Sequence, residues 1–215
     1  MFWPNLNEER KLWKKGTKFV IGVDEVGRGA FAGPLVVGAV CITSDCLLPE
    51  GINDSKALKK LERIRLAKKI CSQCFTWSVA ETSVAKINRL GISRATALAV
   101  RAAVKKILKK PKVQNSESYL LVDAFYIKYV RGLGLKRQRA IVKGDGKCLS
   151  IAAASILAKV YRDRLMKKMA KKFPEFGWGK NKGYGTVHHR EAILKHGQTR
   201  LHRKRFVQTW LSSLL

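Results

Sequence analysis

The sequence predicts a mixed α/β domain: a five-stranded sheet flanked by helices, with a helical extension at the C-terminus. Three observations carry this. Apolar and β-branched runs at residues 18–24, 35–43 and 75–81 follow one another closely enough for an antiparallel meander. Two later runs, at 119–123 and 139–142, are separated from the first three by a long helical stretch. A strong helix pattern over 150–170 follows the last strand. Strands grouped first and interleaved with helices later argue against a doubly wound parallel sheet.

The first strand ends at a glycine-rich turn, and the second is nearly continuous in Val, Leu and Ile. Between the second and third, Leu58, Leu61, Ile64, Ala67 and Ile70 recur at helical spacing, predicting a helix over 56–70. Residues 75–81 alternate in polarity. The helical stretch 83–110 is broken at Gly91 and stopped by Pro111. The fourth strand ends on Asp123, and the fifth runs into Lys143-Gly144-Asp145. The 150–170 helix is Ala-rich early and basic late, and basic helical segments fill 187–215. The expected division is a catalytic domain over 1–186 and a basic extension over 187–215 packed on it.

The chain has 215 residues, 46% hydrophobic and 27% charged, enough for one domain with a real core. It carries 44 Lys+Arg against 15 Asp+Glu, a formal charge of +29. That balance implies a polyanionic partner, because phosphates release counterions to a basic surface. Over residues 136–215 there are 20 Lys+Arg and four acids. Lys159, Arg162, Arg164, Lys167, Lys168, Lys171 and Lys172 make the later half of the long helix basic, which reads as a groove tracking a nucleic-acid backbone. The N-terminus has no apolar signal core, and no apolar run approaches a bilayer span. Five cysteines make no even disulfide framework, and Cys71-x-x-Cys74 lacks a second pair. Reduced thiols, the cytoplasm and no membrane partner are expected.

Acids are scarce, so their placement carries weight. Three of the five strands finish on one: Asp24 with Glu25, then Asp123, then Asp145 just past its strand. Each alone also reads as a cap or turn residue. Together at one sheet end they would repel, at roughly 4 kcal/mol per pair for about 4 Å and an effective dielectric near 20. Two Mg²⁺ or Mn²⁺ ions would remove that cost and could clamp both the attacking and leaving oxygens of a phosphodiester. Adjacent strand residues face opposite sides, so regular geometry alone does not aim Asp24 and Glu25 at one site; a strand breaking up towards Gly27 and the extra methylene of Glu25 would let both reach it. Gly27-Arg28-Gly29-Ala30-Phe31-Ala32 fits the loose G-x-G-x-x-A dinucleotide pattern. Gly33-Pro34 and a β-run follow instead of a helix, and the two acids would repel a pyrophosphate. What remains is a turn of backbone amides able to donate to a sugar hydroxyl or a phosphate.

Taken in order, these pieces resemble bacterial ribonuclease HII, the type 2 ribonuclease H family. The matching residues are Asp24 to Gly29 with Ala32-Gly33-Pro34, Asn53 to Lys56, Leu121 to Asp123, Val142 to Asp145, Ser150 to Lys159 with Arg162-Asp163, Gly183 to Thr186, His196-Gly197 and His202-Arg203. The resemblance implies an RNase H-like fold and hydrolysis of the RNA strand of RNA–DNA hybrids. It also implies cutting 5′ to ribonucleotides embedded in duplex DNA, leaving 3′-hydroxyl and 5′-phosphate ends. It makes Asp24, Glu25, Asp123 and Asp145 the catalytic, metal-holding acids and two divalent cations, Mg²⁺ or Mn²⁺, the cofactors. Gly27, Arg28 and Gly29 correspond to the turn that reads the 2′-hydroxyl, a group only RNA offers. Tyr184 corresponds to the aromatic that stacks at the ribo-to-deoxyribo junction, and Lys56 and Lys147 to backbone contacts. A monomer with a clamp-type protein partner, working in DNA replication and repair, is implied as well.

The chain departs from the pattern at Ala30-Phe31, where Pro-Leu is frequent, at Ala124-Phe125, where Gly-Asn is common, and at Gly146, where Ser is frequent. The sister ribonuclease HIII type carries a longer N-terminus and another residue in place of Arg28. His188, His189 and His196 read as solvated or capping side chains. Two rivals stay in view. A passive basic nucleic-acid binder explains the charge but not acids at three strand ends. A resolvase-like nuclease of the same superfamily would need no 2′-hydroxyl sensor.

Overall fold

A computed structural model describes residues 3–214 of the chain. Its sheet is built from β1 (Phe19–Val26), β2 (Leu35–Ile42), β3 (Thr76–Thr82), β4 (Ser118–Asp123) and β5 (Gln138–Ile141), in the order β3-β2-β1-β4-β5. β1, β2 and β3 form the antiparallel meander, and β4 and β5 run parallel to β1. The mixed sheet predicted from the sequence is therefore the one observed.

Helices α3 (Val84–Leu90) and α4 (Ile92–Leu108) carry the chain from β3 to β4. They are one stretch interrupted at Gly91, and Ser83 caps the first by accepting from the Lys86 amide. α4 buries Ala95, Ala99, Val100, Ala103, Val104 and Ile107 against one sheet face. The other face takes α5 (Leu149–Ala170), with α2 (Lys60–Gln73) beside it, around Val20, Val40, Leu66, Leu121, Ile151 and Ile156. α5 lies close because β1 and β2 present glycines to it. A Cβ on Gly22 would strike the Ser150 backbone, and one on Gly38 the Ala154 carbonyl.

Several predicted boundaries move. β1 continues past residue 24 to Val26, because its pairing with β2 extends to Val26 opposite Val36. The helix expected from residue 56 begins at Lys60, because Asp54 accepts from the Lys56 amide and holds a turn there. α1 (Asn7–Trp13) has no counterpart in the sequence reading. Its Glu9 is buried and accepts from the Ser150 amide and hydroxyl, capping α5 from another part of the chain. After α5 come α6 (Trp178–Asn181), α7 (Val187–His196) and α8 (Lys204–Ser212). Ala192, Ile193 and Val207 from α7 and α8 share a third apolar cluster with Met166, Phe176, Trp178 and Ala32. Among the described residues, no helix is long and apolar enough to cross a membrane.

Candidate active site

The offset between strands creates the site. β1 pairs with β4 only as far as Val23 opposite Val122, whereas its pairing with β2 runs on to Val26. Asp24 and Glu25 therefore lie beyond the last β1–β4 pair, next to Asp123 at the end of β4. The strand stays regular through both acids, correcting the expectation that it breaks up there. Asp24 is buried at 6% exposure, and its Oδ1 accepts from the Glu25 amide at 2.7 Å. Asp123 accepts from the Gly144 amide at 2.7 Å and so holds the Gly144–Gly146 turn that carries Asp145. It thus performs the loop-capping role that its position alone also allowed, and stands beside the other acids as well.

The electrostatics are those of crowded anions. Burial raises the Asp24 carboxyl to about 8 against the Ser155 hydroxyl, with Glu25, Asp123 and Asp145 adding to the rise. Burial likewise raises Glu25 to about 7, opposed by Arg28, 3.6 Å away. Asp123 also rises through burial, against its bond from Gly144. Lys56 stands 3.8 Å from Asp145. Partial burial works against its charge, but Asp54, Asp145 and Asp24 outweigh that and raise its pKa. Among the described residues, no three acidic, imidazole or thiol side chains stand close enough to grip one ion as they are placed. The donor set still fits hard divalent cations, which take carboxylate oxygens, and the raised carboxyls lack the positive charge such ions bring.

The Gly-Arg-Gly turn follows β1 directly. Gly27 has φ +92°, and a Cβ there would collide with the Arg162 guanidinium. Gly29 has nothing within 4 Å of an added Cβ, so its backbone faces open space. Arg28 lies 4.9 Å from the Phe125 ring centroid and beside Glu25. Beneath the turn sit two fully buried arginines. Arg162 donates to the carbonyls of Pro34, Ala32 and Lys182, and Arg203 donates to those of Gly33 and Arg28. Their planar forks fasten the turn to the Lys182–Tyr184 loop. Arg162 therefore does not face solvent in the basic groove to which its helix position assigned it.

Tyr184 is 37% exposed, with its ring 5.5 Å from the Arg162 guanidinium. Its carbonyl is 2.9 Å from His189 Nδ1. Trp178 Nε1 donates to His189 Nε2, and the Thr199 amide donates to His202 Nδ1. These donors fix the tautomers: His189 Nδ1–H donates to Tyr184, and His202 carries its proton on Nε2, 3.2 Å from a His189 Nε2 whose lone pair already accepts from Trp178. His189 is thus a buried network residue, not the solvated or capping one expected; His188 and His196 are exposed. Lys147 is exposed too, and its backbone binds Asn5 and Gly144. The sequence reading gave no role to Ser155, Arg162, Arg203, His189 or His202 in holding the site. Arg162 and His202-Arg203 nevertheless lay inside matched segments.

The comparisons with known proteins agree with one another. The family model described as Ribonuclease HII matches residues 21–209. A Ribonuclease HII of Paracoccus denitrificans is 44% identical over 206 residues, covering 96% of this chain and 93% of that protein. The crystal structure of ribonuclease H2 from Pyrococcus horikoshii OT3 superposes with a TM-score of 0.70 at 27% identity, covering 89% of this chain and 96% of that one. The RNase HII in the PCNA:RNase HII complex from Archaeoglobus fulgidus gives a TM-score of 0.68 at 28% identity, covering 87% and 94%.

Proposed function

The chain belongs to the ribonuclease HII family of nucleases, and we propose that it cuts ribonucleotide-containing duplex DNA as well as RNA–DNA hybrids, on the 5′ side of the ribonucleotide, with two divalent cations. The supporting observation is the meeting of Asp24, Glu25, Asp123 and Asp145, from three segments, within electrostatic reach at one sheet end. These acids would hold the ions. Bound Mg²⁺ or Mn²⁺ would supply Lewis acidity at the scissile phosphodiester and leave 3′-hydroxyl and 5′-phosphate ends.

Around that centre the chain's own groups do the selecting. The backbone of Gly27, Arg28 and Gly29 meets the 2′-hydroxyl, with the open face at Gly29 admitting the sugar. Tyr184 stacks where ribose gives way to deoxyribose, sensing sugar position without reading the base. Lys56, poised against Asp145, and Lys147 contact the backbone. Residues 1–186 form the catalytic unit and 187–215 its packed extension. The protein acts as a monomer in the cytoplasm. PCNA bound to the Archaeoglobus fulgidus relative supports a ring-clamp partner for this chain.

A DNA duplex with one embedded ribonucleotide tests this. Wild type should cut it with Mg²⁺ or Mn²⁺ and not with EDTA. Asp24→Asn and Asp145→Asn should each lower kcat/KM by about 100-fold or more. Equal cutting of an all-DNA duplex would instead favour a resolvase-like nuclease, and binding without cutting a passive binder.

A further inference from the structure

We propose that the groove between the α3–α4 corner and α8 is a second nucleic-acid contact, holding a backbone phosphate of the duplex arm outside the cleavage site. This rests on the proposed substrate and extends the footprint of the same reaction. The cavity measures about 830 Å³ and is lined by three guanidiniums, those of Arg94, Arg190 and Arg205. No acid lines it. Among the described residues, none of the three arginines forms an ion pair.

The arginines differ in how they are held. Arg190 lies over two rings, 5.8 Å from the Phe31 centroid and 5.4 Å from Trp210. The two rings, their centroids 5.9 Å apart, lie on one side of the guanidinium and leave N–H groups on the other available for a phosphate. Arg94 stands in the first turn of α4, which has no side-chain cap, and Arg205 approaches Gly91 from α8. The positive end of α4 adds to their charge. Leu90, Ile92 and Phe206 supply an apolar floor suited to the sugar faces between phosphates.

Position favours the substrate itself as occupant. Phe31 lines the groove and also packs beside Gly185, where an added Cβ would meet its ring. The groove therefore lies next to the Tyr184 turn, where a strand leaving that turn on this side would come to the three arginines. A phosphodiester satisfies unpaired guanidiniums and is present wherever the substrate binds.

The test compares Arg94→Ala/Arg205→Ala with Lys109→Ala/Lys110→Ala, which removes equal charge at the far end of α4. Dissociation constants and kcat/KM are measured on single-ribonucleotide duplexes with flanks of about 6 and about 20 base pairs. The arginine variant should weaken long-duplex binding about 10-fold and lower the salt slope by about 1. It should leave kcat/KM on the short duplex unchanged, and the lysine variant should separate the two lengths much less. Equal losses at both lengths, or losses matching the lysine control, would overturn the proposal. So would saturable binding of inorganic phosphate, or of an acidic peptide, that needs the arginines in a protein showing no flank effect. Binding is read without turnover, so a failure to cut ribonucleotides would count against the proposed function alone.

Discussion

Ala124 holds φ at +67°, directly after Asp123. An L side chain in that left-handed region costs about 1–2 kcal/mol, and glycine avoids it. Ala124→Gly should therefore stabilise the protein by about 1 kcal/mol, raising Tm by about 2–4 °C for a chain of this size. An unchanged or lower Tm in a thermal melt would show that the alanine methyl makes compensating contacts. Below the Gly-Arg-Gly turn, burial pushes Arg203 down to about 9, with Arg162 beside it adding to the fall. Guanidiniums stay protonated in proteins, so both put positive charge under the backbone proposed to meet the substrate. His202 behaves oppositely to a surface histidine. Burial lowers it from 6.5 to about 4, and His189 adds to the shift. Protonation thus favours the unfolded chain: this stability is complete above pH 6.5 and drains away as pH falls towards 4. The loss is on the order of 3 kcal/mol at the acid end. Urea midpoints should fall less steeply over that interval in His202→Asn than in wild type, and parallel curves would refute the assignment. The acids at strand ends were legible in the sequence because carboxylates are rare in this chain. The arginines that hold the turn were not, because their partners are backbone carbonyls mostly far away in sequence, and the histidines were not, because only the fold brings their ring nitrogens to each other and to Trp178.

β1 and β2 matter to function through what they omit. Gly22 and Gly38 let α5 rest against the strand backbones, which brings Ser155 to Asp24. Gly38→Ala should cost roughly 1–3 kcal/mol through overpacking against Ala154. A urea midpoint equal to wild type would show that α5 can shift without loss. The strands and the long helices were readable from periodicity, since β2 is continuously apolar and α4 repeats Ala and Val on one face. α1 escaped because seven residues give too little periodicity, and its anchoring residue is a buried glutamate. The late start of α2 escaped because Leu58 fits the helical spacing while the Asp54 turn preempts its backbone. α1 bears on the site all the same. Asn5 binds the backbone of Lys147 and Leu149, and Glu9 binds Ser150, so the N-terminal segment fastens the connection between Asp145 and α5.

The molecule as a whole sets a small acidic centre in a chain of charge +29. Under the proposed function that contrast divides the labour: the basic surface would gather a polyanion, and the acid-lined strand ends would act on it once cations neutralised them. The strand order places β1 and β4 side by side, so acids separated by some hundred residues become neighbours. Diffraction from crystals grown with Mn²⁺ and a non-cleaved ribonucleotide duplex, with anomalous differences at the manganese edge, tests this most directly. We expect manganese peaks ligated by oxygens of Asp24, Glu25, Asp123 and Asp145, and no such peaks in crystals of Asp24→Asn. Manganese bound elsewhere, or a substrate-loaded site with Asp123 or Asp145 turned away from any ion, would contradict the account.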